Sequence, residues 1–196
     1  MFWVMTNHKP RINNPEFVKS NLLDAAAEIL IHESAQKLTL NLVAQKAGVS
    51  KGGLLHHFPS KEKLLDGLFH RELNIFRDEI LAAMEKDPVK TGRAARAYIG
   101  LGGATSSPQD KSYIILRQLL SVMLSDYELS QTWTRMYWQT IKSTGLFEES
   151  SPIMILCCLA ADGMSLWEIL GAEKLDGINY EDIHNIIEKI TYSTKE

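Results

Sequence analysis

Within eleven residues this chain gathers Lys51, Gly52, Gly53, His56, His57 and Lys61, in the stretch GVSKGGLLHHFPSKEKLL from Gly48 to Leu65. Ammonium and imidazole N–H groups donate to anionic oxygens. A backbone without Cβ atoms can approach a partner closely and offer its own N–H groups. The chemistry these residues share is the holding of phosphate, not the breaking of bonds. Ser50 is a helix N-cap and Pro59 a helix stop, so both glycines fall in the first turn of a helix of barely two turns. Each glycine inside a helix costs about 1 kcal/mol relative to alanine. Two in succession imply that something outside the helix needs the space. A metal site is the competing reading of His56 and His57. Adjacent helical residues diverge by about 100° and no third ligand lies nearby in the sequence, so phosphate contact or capping is favoured.

Positioning these groups takes a helix-turn-helix. Thr39 caps a helix from Leu40 to Ala47 with Val43 and Ala44 inward, and Gly48 suits the left-handed position that ends it. Ser50 starts the next helix, the candidate for the major groove of duplex DNA, entered by its N-terminal residues. Before the pair, Asn14 and Pro15 open a helix that runs to about His32, with Val18, Leu22, Ala25 and Ile29 on one stripe. After it, Ser60 caps a long helix from Lys61 to about Lys86 that carries Leu64, Leu68, Leu73, Phe76 and Ile80. Lys61 opens that helix against its macrodipole, a placement that a nearby phosphate would make favourable.

Helical periodicity continues downstream, over 89–99, 109–125, 127–144, 152–170 and 180–192. A loop of GLGGATSSP composition runs from Gly100 to Pro108. No segment reads as strand. The expected fold class is all-α: a three-helix head, a connector helix and a C-terminal helical bundle. The division falls at 13–62 and 63–196, with the helix-turn-helix at about 39–58. Charge follows the same division. Residues 1–65 hold eight Lys or Arg against five Asp or Glu, a net of +3, and the remainder holds thirteen against nineteen, a net of -6. Four of the six histidines (His8, His32, His56 and His57) also lie in the first part. A basic head on an acidic body suits a protein that meets a polyanion with one end.

Other classes fit poorly. The sequence has no phosphate loop, no dinucleotide fingerprint and no H-x-x-x-H metal spacing. GLGGATSS lacks both a preceding strand and the lysine of a phosphate loop. An enzyme and a bound cofactor or metal are therefore not expected. The longest apolar run, Ile153 to Ala161, reads as a buried helix segment too short for a bilayer, and no signal-peptide pattern opens the chain. Met5 offers a second start site. The adjacent Cys157 and Cys158 point apart on a helix and suit a reducing cytoplasm.

The stretch TLNLVAQKAGVSKGGLLHHFPSKEKLLDGL resembles the DNA-binding signature of TetR-type repressors. Ala47, Gly48, Val49, Ser50, Lys51, Gly52, Leu54, His57, Phe58, Ser60, Lys61 and Glu62 match that pattern position by position, over roughly the first third of the chain. The resemblance implies that Thr39 and Ser50 touch phosphates as well as capping, and that Lys51, Gly52 and Gly53 face the groove. His57 and Lys61 would hold the DNA backbone, and Leu54 and Phe58 would be core. Gln45, Leu55 and His56 complete the expected DNA-facing set. The chain departs from the pattern at Gly53, commonly a polar residue, and at Leu55 and His56, which replace two tyrosines. At position 55 only apolar contact, such as to a thymine methyl, is left.

The family implies an effector-binding, dimer-forming body. Met123, Trp133, Tyr137, Trp138, Asp162, Met164 and Trp167 are the expected effector-binding residues. Each alone reads as core; together they suit an apolar pocket that takes a lipophilic, cationic molecule. Asp162, beside Gly163 in LAADGMSLW, has two readings: a solvated or internally hydrogen-bonded residue, or a counter-ion. The fragment LAADGMSLWEILG with KGGLLHHFPSKE is similar to the subgroup controlling multidrug efflux. The helices at 152–170 and 180–192 are expected to form a two-fold four-helix interface in a homodimer, with Ile183, Ile186, Ile187 and Ile190 read as one apolar face of it. The expected function is a cytoplasmic, ligand-released repressor of operator DNA. A DNA-binding architectural protein with a filled body and no effector is the alternative.

Overall fold

The computed structural model describes residues 14–102, 111–170 and 179–193. Met5, His8, most of the Gly100–Pro108 loop and Gly171 lie outside the described residues. The described chain is all-α: α1 (Pro15–His32), α2 (Leu40–Ala47), α3 (Lys51–His57), α4 (Lys61–Lys86), α5 (Arg93–Gly102), α6 (Lys111–Ser125), α7 (Tyr127–Lys142), α8 (Leu146–Glu149), α9 (Pro152–Ile169) and α10 (Tyr180–Ser193). It separates into two compact units, Met1–Leu65 and Asp66–Glu196, and α4 runs from one into the other.

The first unit is built by local signals. The Asn14 side chain accepts from Glu16 and Phe17 N–H, Thr39 from Leu42, Ser50 from Gly53 and Ser60 from Lys63. Each satisfies N–H groups that a helix start leaves unpaired. Gly48 sits at φ 65°, donating to Gln45 C=O while Val49 N–H donates to Ala44 C=O. That reciprocal pair is the Schellman ending. Leu22, Ala26, Leu30, Leu38, Val43, Leu54 and Phe58 close the core of this unit.

The second unit packs α5 on α9, α9 on α10 and α6 on α7. Ile80, Tyr98, Ile141, Met154, Cys157, Cys158, Ala161 and Met164 are buried together. The segment expected as helix from residue 89 begins only at Arg93. Val89 N–H turns back to Asp87 Oδ1 at 2.8 Å, and the Arg96 guanidinium takes the carbonyls of Val89 and Thr91. These groups are then unavailable to a helix ladder. The one-turn α8 has too little length to be seen as periodicity.

Two readings of the sequence need correction here. The four isoleucines of α10 do not form one free face. Ile187 is buried and Ile183 and Ile190 pack on the body core, because α10 docks on α9 and α5; Ile186 alone points out, 57% exposed. Among the described residues, α9 carries a group of exposed apolar side chains, Leu156, Leu159, Leu166 and Trp167. The apolar segment around Ile153 to Ala161 also extends further than expected. All of α9, 18 residues with mean hydropathy 1.5, has the length and composition of a membrane-crossing helix. Its Met154, Cys157, Cys158, Ala161 and Met164 are buried in the body core.

Candidate nucleic-acid interface and effector region

The turn between α2 and α3 sets out the head's polar groups. Thr39, Gln45, Ser50, Lys51, Gly52, Leu55 and His56 are exposed, while Gly53, His57 and Lys61 are half-buried. Thr39 Oγ1 and Ser50 Oγ accept backbone N–H groups at 3.2 and 3.1 Å. Each hydroxyl keeps its hydrogen to donate outward, so capping and phosphate contact are compatible. The two glycines separate in role. A Cβ at Gly52 would meet nothing within 4 Å, so the bare backbone there answers no internal demand. A Cβ at Gly53 would lie 3.0 Å from Val49 Cγ1 and 3.2 Å from Ser50 Oγ, so Gly53 also keeps the cap uncrowded.

Lys61 is less free than its sequence position implies. Its ammonium donates to Ala35 C=O at 2.7 Å, leaving two of three hydrogens for a phosphate. Lys51, at the start of α3, is exposed. The His56 and His57 rings meet edge to face, centroids 5.4 Å apart. Among the described residues no three His, Cys, Asp or Glu side chains converge as a metal site would need.

In the body, the expected effector residues divide into four groups. Trp133 is completely buried, stacked on Phe69 with centroids 4.4 Å apart and rings 7° from parallel. Its indole N–H donates to Asp66 Oδ1 at 2.7 Å. Trp138 and Trp167 are exposed, at 39% and 53%, and Trp138 packs edge-on against Tyr137 and beside Phe147. Met123 is half-buried on α6. Met164 is buried in the body core, with the half-buried Tyr137 packed against it, and the half-buried Asp162 on the same helix as Met164 brings in a residue the sequence reading missed. Tyr98 on α5 donates to Asp162 Oδ1 at 2.7 Å and shares a short hydrogen bond with the Tyr137 hydroxyl. Since Tyr98 has one hydroxyl hydrogen, the chain runs from Tyr137 to Tyr98 to Asp162. Nothing in RAARAYIGLG marks Tyr98 beyond its place on the buried side of an amphipathic helix.

Burial raises the Asp162 carboxyl above its ordinary range, opposed by the Tyr98 bond. Desolvation likewise pushes both phenols up, and Cys158 up to about 12. A carboxylate whose charge is this poorly solvated gains from a cation brought beside it. A cavity of about 250 Å³ does open in the body, lined in part by Ala97, Ile99, His184 and Tyr192; none of the seven expected effector residues borders it.

Residues 22–68 match the sequence profile of the bacterial regulatory proteins of the tetR family. Nucleoid occlusion factor SlmA of Shewanella sp. (strain W3-18-1) is 35% identical over 83 residues, 41% of this chain and 40% of that protein. The match thus spans well under half the length of these curated relatives. Among solved structures, a putative transcriptional regulator from Streptomyces coelicolor A3(2) is similar with a TM-score of 0.66 at 18% identity, over 90% of this chain and 99% of that one. The multidrug binding protein EbrR, complexed with imidazole, is similar with a TM-score of 0.63 at 18% identity, over 96% and 97%. At such identities the likeness is one of fold.

Proposed function

We propose that this chain, which belongs to the tetR family of bacterial regulatory proteins, is a cytoplasmic homodimeric repressor released from operator DNA by a small lipophilic effector, cationic in character. The observation that carries the DNA half is the outer face of α3. Lys51, Gly52, Leu55 and His56 all face solvent on a helix whose start is capped from within, in the more basic part of the chain. α3 enters the major groove; Lys51, His57 and the remaining hydrogens of Lys61 meet phosphates, and Leu55 offers a thymine methyl an apolar contact. The exposed apolar face of α9 supplies the area for a second copy. Two heads then read half-sites about 34 Å apart or somewhat more.

The effector reading rests on Asp162. A half-buried carboxylate held on one oxygen by Tyr98, among Tyr137 and Met164, is the body's best counter-ion for a flat cation. The effector prefers a body conformation in which the DNA-bound spacing is lost, and operator binding weakens effector affinity by the same factor.

Fluorescence anisotropy on operator and random duplexes tests the first half. Lys51→Ala should weaken both and reduce the salt slope by about 1; an unaltered slope removes α3 from the phosphates. Titration with a lipophilic dye cation tests the second. It should quench tryptophan emission and release operator over one concentration range. Asp162→Asn should weaken cations and spare neutral ligands; equal loss for both would make Asp162 structural. A DNA-binding architectural protein without effector is the second reading. It is favoured by the tight packing of Trp133 and by the 83-residue likeness to nucleoid occlusion factor SlmA, and it predicts no release by any dye.

A further inference from the structure

The cavity of about 250 Å³ lies in the body between the C-terminal part of α4, α5 and α10. It would hold roughly eight waters at liquid density, and it falls short of the about 300–1,000 Å³ usual for drug-sized ligands. It therefore suits a much smaller molecule than the dye-like effector proposed above. Ala83, Ala97 and Ile99 give it an apolar wall. Its polar side is set by Arg96, which is almost saturated: Nε donates to Asp87 Oδ2 at 2.7 Å, Nη1 to the carbonyls of Thr91 and Thr191, and Nη2 to Val89 C=O. Four of five N–H groups are thus used, Asp87 neutralises the charge, and the guanidinium carbon lies 4.3 Å over the Tyr192 ring. An anion entering here would find one spare N–H and an opposing carboxylate.

That carboxylate is Glu188. It and His184 stand one turn apart on α10, and both border the cavity. Neither side chain has a hydrogen-bond or ion-pair partner among the described residues. A carboxylate and a neutral imidazole nitrogen are acceptors, so their complement is a positively charged donor. Ile186 projects from the opposite side of α10, so the cavity does not lie on the helix face that Ile186 exposes.

We propose that this cavity is a second ligand site, for a small organic ammonium with a short hydrocarbon body. The ammonium donates to Glu188 and His184, and the hydrocarbon lies on Ala83, Ala97 and Ile99. Calorimetric titration of the full chain with n-butylammonium, n-butanoate and n-butanol tests it. The ammonium should bind saturably in the millimolar range, one per chain, and more tightly than the other two. Glu188→Gln should weaken it by about tenfold, the scale of one charge-assisted hydrogen bond. Gly100→Leu should block it; Gly100 borders the cavity and a Cβ there meets nothing within 4 Å, so this variant is expected to fold, as a thermal melt checks. Failure to saturate, butanoate binding as tightly as the ammonium, or unaltered affinity in both variants would overturn the assignment.

Discussion

In the head, the helix starts are set by polar side chains that bond close by, and its longer-range side-chain bonds, Asn21 to Ala47 and Lys61 to Ala35, span only 26 residues each. Thr39, Ser50 and Ser60 each cap an N–H three residues ahead. In the body, the equivalent bonds span 64 residues from Tyr98 to Asp162, 67 from Asp66 to Trp133 and 95 from Arg96 to Thr191. The head therefore starts its helices from local signals, ties them over short sequence distances, and leaves Lys51, Gly52 and His56 outside its frame for a partner. The body spends its polar groups on holding helices to one another. One unit is organised to present chemistry and the other to store it in the interior.

The largest test of that contrast is Trp133→Ala. If Trp133 is a clamp between α7 and the Asp66–Phe69 turn of α4, its loss costs the body about 3–5 kcal/mol in urea denaturation. A cost near zero would return Trp133 to the wall of an effector pocket. Arg96→Met comes next, at about 3 kcal/mol for breaking a buried pair. The Arg96 hydrogen bond holds the Asp87 carboxyl below the usual range. Its stabilisation is therefore complete above the ordinary carboxylate pKa and is lost as pH falls through the lowered one. Melting across the acid range should show that limb in the parent chain and a flatter one in Arg96→Met. The smallest effect belongs to the head. Gly52→Ala should raise stability by up to about 1 kcal/mol while weakening operator binding. Gly53→Ala, crowded by Val49 and Ser50, should gain less. A Gly52→Ala chain that binds operator normally would leave the glycine without a role in DNA approach.

The same contrast explains what could be read in advance. Asn14, Thr39, Gly48, Ser50, Pro59 and Ser60 act within a turn of themselves, so α1 to α4 lie where those residues place them. The body's helices show as periodicity, yet the start of α5 depends on Arg96 capturing carbonyls before it, which no local pattern announces. Asp162 stood out as a carboxylate in an apolar run. Its partner Tyr98 did not, because the pairing exists only after α5 and α9 have packed. The isoleucines of α10 were a periodic stripe in either case. Whether such a stripe meets its own core or a second copy is decided by the neighbouring α9.

The chain's two thiols, Cys157 and Cys158, are both buried, and both are driven toward the unreactive protonated form. A thiol reagent can reach them only when α9 lifts from its neighbours. Where reclosing outpaces labelling, the modification rate then reports the population of that opened state. The adjacent pair thus acts as a chemical clock on the body. Adding DNA or a candidate ligand and watching whether the clock slows would show which of them tightens α9, without any label being introduced.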